Sequence, residues 1–259
     1  METGIIIKQP VEDYIENTTK YYNKRFGNSS FSITESDRMR WRMIEKKLVK
    51  ILSFYDNQPD ILDFGCGEGW LSSNLSKYGK VTGVDISDKS IEAAKKKYPS
   101  INFIHLDASS TESVEQKIKE RFDIIVSSEV IEHIDNQKEY LNNIYSLFKK
   151  ENGVLILTTP NGRWKNNYFF GERKNWGQPY EFWLTPNDFI KLAMDKFSWY
   201  SIKTFGSNWL FSLKSYGMPN VLGNRIIRKM LETIHFKKIY ESLLNQFGFG
   251  LYIIFIGKK

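Results

Sequence analysis

ILDFGCGEG, residues 61–69, leads into WLSSNLSKY at 70–78 and then VTGVDIS at 81–87, and this stretch decides the fold. An apolar run passes through Asp63 and opens into Gly65, Cys66, Gly67, Glu68 and Gly69, after which the apolar spacing becomes helical. The implied geometry is strand, glycine turn, helix. Glycines suit such a turn because it needs backbone angles that a Cβ opposes, and because a missing Cβ lets a ligand lie against the main chain. A second apolar strand, VTGV, ends in Asp85, sixteen residues past Gly69. A carboxylate there can accept hydrogen bonds from a ribose diol.

Downstream, strands and helices alternate as a doubly wound α/β sheet requires. SIEAAKKKY at 90–98 predicts a helix, INFIHLD at 101–107 a third strand, SVEQKIKE at 113–120 a helix and FDIIVSS at 122–128 a fourth strand. KEYLNNIYSLFKK at 138–150 is amphipathic, GVLILTTPN at 153–161 is the fifth strand, and TPNDFIKLAMDKF at 185–197 is a helix with Thr or Asn caps at hand. YSIKTFG at 200–206 and LYIIFIG at 251–257 complete the strands.

A dinucleotide fingerprint asks for Gly-x-Gly-x-x-Gly, but its last position is Trp70 and the third glycine falls one residue early, which disfavours NAD. The pattern instead resembles motif I of the class I S-adenosylmethionine-dependent methyltransferases, matched by Asp63, Gly65, Gly67 and Gly69. The resemblance covers about residues 60–205 and the last strand. It implies a Rossmann-like, mostly parallel sheet of seven strands with the last antiparallel. Residues 1–58 then form an N-terminal helical cap on a methyltransferase domain at 59–259, which carries an aromatic loop at 161–184 and an insertion at 207–248.

That resemblance also assigns the cofactor, S-adenosylmethionine, with S-adenosylhomocysteine as product. Asp63 would meet the methionine ammonium, Gly65, Cys66, Gly67 and Gly69 would line the turn, and Asp85 would take the ribose. Ile86 would pack on the adenine, Asp107 and Ala108 would flank its amino group, and Ser128 and Tyr22 would complete the site. Tyr21 and Arg25 are further candidates for the cofactor carboxylate, and Glu68 reads as solvent-facing. Asp107 has a second available role, as a helix N-cap.

SSEVIEHIDN, residues 127–136, concentrates Glu129, Glu132 and His133 at positions that share one face of a helix. His133 could act as general base, with Glu132 or Glu129 setting its tautomer; alternatively the three are ligands for one divalent metal, or they only shape the pocket. EVIEH, followed by TTPN at 158–161, resembles the corresponding segments of ubiquinone-biosynthesis O-methyltransferases and of small-RNA 3′-terminal 2′-O-methyltransferases. Both families add a second histidine. Here the only histidines are His105, His133 and His235, and WGQPYEFWLTP at 176–186 offers Gln178 and Tyr180 instead, so a metal is not expected.

Methyl transfer depends mostly on positioning, so acceptor specificity should come from outside the common core. Residues 161–183 hold eight aromatics in 23 residues, against 15% for the whole chain. Trp164, Tyr168, Tyr180 and Trp183 are the candidate acceptor contacts, with flat faces that suit sugars, rings or prenyl chains. TKYYNKRFG at 19–27 and the helix expected at 36–52 could close over the site from the amino-terminal side.

Charge is localised. Residues from 201 onward hold nine Lys or Arg against two acids, whereas residues 1–200 hold 28 of each. Residues 221–247 read as a basic amphipathic segment, a helical cover or a peripheral contact with an anionic membrane. The single cysteine excludes a disulfide framework and points to a reducing, cytoplasmic setting, if peripheral then at the inner face of a membrane. METGIIIKQP at 1–10 lacks a signal-peptide pattern, and no apolar run reaches transmembrane length.

These observations converge on O-methylation of a small or lipid-linked acceptor: a glycan sugar, a secondary metabolite or a prenylated ring. RNA 2′-O-methylation is the alternative enzyme, disfavoured by the balanced charge of residues 1–200. A non-catalytic cofactor-binding regulator is the alternative outside enzymes.

Overall fold

A computed structural model describes residues 11–26, 32–149, 152–164, 181–206 and 250–259, together with Ser242, Asn245 and Gln246. Tyr168, Tyr180, Gln178 and nearly all of the 207–248 insertion, including the basic segment, lie outside the described residues, as do the side chains of Arg25 and Trp164. In chain order the elements are α1 (Val11–Phe26), α2 (Glu35–Leu52), β1 (Asp60–Phe64), α3 (Trp70–Leu75), β2 (Lys80–Asp85), α4 (Asp88–Lys97), β3 (Asn102–His105) and α5 (Thr111–Lys117). They continue with β4 (Ile124–Ser128), α6 (Gln137–Ser146), β5 (Val154–Pro160), α7 (Pro186–Ala193), β6 (Trp199–Phe205) and β7 (Tyr252–Lys258). Two short 3-10 turns, Ile131–His133 and Gly162–Trp164, follow β4 and β5.

The strands form one sheet in the order β3-β2-β1-β4-β5-β7-β6, parallel except for β7, which runs antiparallel to both β5 and β6. All seven expected strands are present, and the strand order reverses between β1 and β4. In open α/β sheets that reversal opens a crevice at the carboxyl ends of the strands.

Alternation along the strands splits the core into two layers. Leu62, Phe64, Ile125, Leu155 and Leu157 face α5, α6 and α7, while Ile61, Ile124, Val126 and Ile156 face α2 and α3. Ile44 and Leu48 of α2 are buried in the second layer. Full burial of such a side chain stabilises by about 1.5–3 kcal/mol, so α2 is anchored firmly enough to position side chains of its first turns. Thr34 and Asp37 close a capping box at its amino terminus, and Thr185 and Asp188 do the same for α7, as the Thr-Pro-Asn sequence predicts. Among the described residues, no helix is long and apolar enough to cross a membrane.

Candidate active site

The glycine turn after β1 forms the floor of the site. Gly65 and Gly67 adopt φ of 97° and 51°, left-handed values that disfavour any side chain. Their surroundings differ. A Cβ on Gly65 would lie 2.2 Å from Val130 Cγ2, so this glycine allows close packing, whereas a Cβ on Gly67 would meet nothing within 4 Å. Gly67 therefore leaves room beside the turn. The Gly65 and Cys66 amides both donate to the Val84 carbonyl at 2.8 Å, and the Gly67 amide donates to Asp85 Oδ2 at 2.8 Å. The Asp85 carboxylate thus orders the turn before any ligand arrives, and its Oδ1 accepts from the Ser87 amide at 2.9 Å.

Above this floor lies a cavity of about 270 Å³. Gly65, Cys66, Gly67, Asp85, Ile86, Asp107, Ala108, Ser128, Glu129, His133 and Tyr22 line it, as expected from the sequence. Glu68, half-exposed, also lines it. Asp107 Oδ1 accepts from the Ser109 amide and hydroxyl at 2.9 and 2.7 Å, and Ser110, not Asp107, caps α5. Asp107 itself remains on the cavity wall. Burial, then the carboxylates of Asp85 and Asp63, push the Cys66 thiol well up, so it forms cavity wall and not a nucleophile.

Four expected residues sit elsewhere. Asp63 is fully buried beneath the turn, where its Oδ2 accepts from Ser72 Oγ at 2.6 Å and its Oδ1 has no hydrogen-bond partner. Gly69 packs toward Phe103 and Tyr98 and is not a cavity residue. Tyr21 meets Tyr22 edge-on and is likewise absent from the wall. Trp183 does not line the cavity either, and its indole N–H is buried without a hydrogen-bond partner.

Burial, partly offset by Ser72 and reinforced by Asp85, raises the Asp63 carboxyl to about 7. A carboxyl raised this way holds its proton longer in the folded chain than in the unfolded one. Stability of the ligand-free protein therefore falls as pH climbs from the ordinary carboxylate range through about 7. Asp63→Asn is expected to raise stability at about pH 8 by ~2 kcal/mol and to flatten this decline, as read by thermal denaturation across pH.

The helical expectation for residues 129–133 does not hold. Only Ile131–His133 forms a 3-10 turn, and Glu129 sits outside it at φ 60°. Consecutive residues of β5 then separate the two glutamates. Thr158 Oγ1 donates to Glu129 Oε1 at 3.4 Å on the α2 side of the sheet, and Thr159 Oγ1 donates to Glu132 Oε2 at 2.9 Å on the other. The carboxylates straddle the sheet edge, because successive strand side chains point to opposite faces. Glu132 is 2% exposed and lies outside the cavity wall. Its Oε1 is 3.8 Å from His133 Nε2, too long for the hydrogen bond that would set the tautomer.

Sequence reasoning missed the residue that organises this end of the cavity. Arg40, from α2, reaches the wall, binds Asp37, sits 3.5 Å from Glu129 Oε2 and lies 5.1 Å over the Tyr252 ring. A guanidinium thus faces the Glu129 carboxylate. No group of three His, Cys, Asp or Glu side chains is placed to hold an ion among the described residues. Burial first, then Glu132, raises the Glu129 carboxyl, and Arg40 pulls it back; burial likewise raises Glu132. Tyr14, Thr18, Asp37, Trp41 and Ile44 were also missed as wall residues. They reach the site only because α1 and α2 fold over it, and no local motif marks them. The available signal was the expectation that 19–27 and 36–52 could close over the site.

Residues 37–209 match the family described as a methyltransferase domain. The chain belongs to that family. This methyltransferase-domain chain is 36% identical to a ubiquinone biosynthesis O-methyltransferase of Bradyrhizobium diazoefficiens over 107 residues, 41% of this chain and 42% of that one. It is 32% identical to the Rickettsia prowazekii enzyme of the same name over 173 residues, 64% of each chain. Its matches thus span about two fifths to two thirds of the length of these curated relatives. Among solved structures, the plantazolicin methyltransferase BamL, crystallised with a desmethylplantazolicin analogue and S-adenosylhomocysteine, superposes with TM-score 0.60 at 18% identity, covering 96% of this chain and 97% of that one. Magnesium protoporphyrin IX methyltransferase from Synechocystis with bound S-adenosylmethionine gives TM-score 0.53 at 17% identity, covering 77% and 92%. At such identities these likenesses bear on the fold alone.

Proposed function

We propose that the chain is an S-adenosylmethionine-dependent methyltransferase that O-methylates a small or lipid-linked acceptor, a glycan sugar, secondary metabolite or prenylated ring. The observation that carries this reading is the polarity of the cavity along its length. Asp107 and Asp85 stand at one end at the tips of neighbouring strands, the open Gly67 lies midway, and Arg40 with Glu129 forms the other end. This matches the ligand's own sequence of groups: adenine, ribose, and an amino acid carrying both charges.

In this placement Asp107 Oδ2 accepts from the adenine amino group and Asp85 takes the ribose diol. Arg40, with five N–H donors of which Asp37 and Glu129 use only some, clamps the carboxylate. When bound, the cofactor supplies a methyl group on a cationic sulfonium. His133, on the wall with its ring edge-on to Tyr22 at 5.9 Å, is placed to take the proton from an acceptor hydroxyl. The cofactor would supply the methyl carbon and keep the carbon–sulfur electron pair on sulfur, while His133 would hold the proton released by the acceptor hydroxyl. Tyr22 and α1 help exclude water, and the segment after residue 160 supplies the acceptor side. Residues 1–58 act as a cap, with the rest of the chain as the methyltransferase domain.

Calorimetry on the full chain tests the reading. S-adenosylmethionine is expected to bind more tightly as pH rises from about 6 to about 8, because the raised carboxyls of Asp63 and Glu129 ionise and attract a cation, and electrically neutral S-adenosylhomocysteine should respond less. Binding of a nicotinamide dinucleotide but of neither sulfur compound would overturn the assignment.

A further inference from the structure

The loop between β3 and α5 carries Asp107, Ala108 and Ser109 onto the cavity wall, and α6 reaches into that loop with one buried polar side chain. Asn143 is 2% exposed. Its Nδ2 donates to the Ala108 carbonyl at 3.2 Å and lies 3.5 Å from the Ser109 carbonyl, while its Oδ1 accepts from the Thr111 hydroxyl at 2.7 Å. Carbonyl oxygens only accept, so they fix which end of the amide faces them. The Thr111 hydroxyl also lies 2.9 Å from Glu139 Oε1, one helical turn before Asn143, so α6 meets the start of α5 at two points. The other buried large side chains of α6, Tyr140, Leu141 and Ile144, belong to the apolar core. An amide in that company costs stability unless its hydrogen bonds are made.

The peptide joining Ala108 to Ser109 is thereby gripped from both sides. Its carbonyl takes the Asn143 amide, and its N–H donates to Asp107 Oδ1 at 2.9 Å. Asn143, this peptide and the Asp107 carboxylate form one hydrogen-bonded chain with its dipoles head to tail, and the chain ends on the cavity wall. Ala108 is buried, so without Asn143 its carbonyl would be stranded away from water. Turning the peptide toward water would satisfy that carbonyl but withdraw the Ser109 amide from Asp107. Only the rotatable Ser109 hydroxyl, at 2.7 Å, would then hold Oδ1.

We propose that Asn143 is a positioning residue for base recognition. By holding the 108–109 peptide it fixes the Asp107 carboxylate, and so makes the site select a purine bearing an exocyclic amino group over one bearing a carbonyl in its place. The inference rests on the placement of the adenine amino group at Asp107. A carboxylate only accepts, so it pairs with an amino group and repels a carbonyl oxygen. That discrimination needs a fixed carboxylate, because one free to turn can swing away from the wrong base.

The test is calorimetry of the full chain with S-adenosylhomocysteine and with S-inosylhomocysteine, which differ only in the base, an amino group against a carbonyl. The wild-type chain is expected to prefer S-adenosylhomocysteine about 100-fold, since the wrong base leaves a buried acceptor unpaired. Asp107→Asn, whose amide can face either base, should abolish the preference. Asn143→Ala, favourable in a helix, and Asn143→Leu, which keeps the volume, should each cut the preference about tenfold by weakening S-adenosylhomocysteine. Affinity for S-inosylhomocysteine, which offers Asp107 no amino donor, should change less than about threefold in both. Equal weakening of the two ligands, or failure of both variants to fold, shows Asn143 serving the fold alone and overturns the proposal. A preference that Asp107→Asn abolishes but the Asn143 variants keep also overturns it, and leaves the placement of adenine intact. Absence of any wild-type preference overturns that placement and the proposal with it.

Discussion

His133→Ala is expected to slow turnover about 10²- to 10⁴-fold, the usual worth of a positioned acid–base group, with affinity for S-adenosylmethionine changed by less than about twofold. The imidazole is the only histidine on the cavity wall among the described residues. It is held at the end of the 3-10 turn, whose Ile131 carbonyl and the Phe182 carbonyl both accept from the Gln137 side chain, at 2.9 and 2.8 Å. Phe182 in turn donates its amide to the Glu132 carbonyl at 2.6 Å. His133 is therefore tied to the segment around Phe182, so the proposed base and the acceptor should be positioned together. Positioning survives loss of the imidazole, which is why the variant should remain measurably active. Single-turnover kinetics with saturating cofactor provides the measurement. Wild-type turnover in His133→Ala alongside collapse in Glu129→Gln would transfer the role of base to Glu129.

Arg40→Ala should lower cofactor affinity about 100-fold, because a buried bidentate partner for a carboxylate is lost, and Arg40→Lys should restore little of it. A second consequence concerns folding. Arg40 is the group that opposes burial at Glu129, so its removal raises the Glu129 carboxyl further. An acid raised in the folded state favours the protonated folded chain, so the penalty is absent at pH below the ordinary carboxylate value and grows as pH rises toward the folded value. At high pH it should reach about 3–5 kcal/mol, the cost of stranding one member of a buried pair. Adding Glu129→Gln should recover stability without recovering affinity. Calorimetry and thermal denaturation of the two variants separate these effects. Unchanged cofactor affinity in Arg40→Ala would show that the guanidinium serves structure alone.

Much of this molecule was legible before any coordinates. The glycine turn, the acids ending the second and third strands, and the alternating strands and helices are local patterns, each confined to a few consecutive residues, and they specified the doubly wound sheet and one rim of the cavity. The Thr-Pro-Asn turn was also visible, although its work was not. Thr158 and Thr159 carry the two glutamates, and Asn161 Nδ2 donates to the Gly250 carbonyl at 2.7 Å, closing β5 onto the start of β7.

Other features depended on the alignment of distant segments. Helical spacing in SSEVIEHIDN suggested one shared face, yet the chain leaves β4 through a left-handed Glu129 and sends its carboxylates to opposite sides of the sheet. Asp63 matches its motif by position, but the strand pleat turns its side chain under the turn onto Ser72 and away from the cavity. Arg40 carries no motif at all; it becomes a site residue because Ile44 and Leu48 pin α2 across the carboxyl ends of the strands. Sequence by itself determined the family, the sheet and one rim of the cavity, since those rest on backbone patterns of short range. Only the tertiary structure decided the charge balance at the other end, because burial and the meeting of Arg40 with Glu129 arise from elements nearly ninety residues apart in the chain.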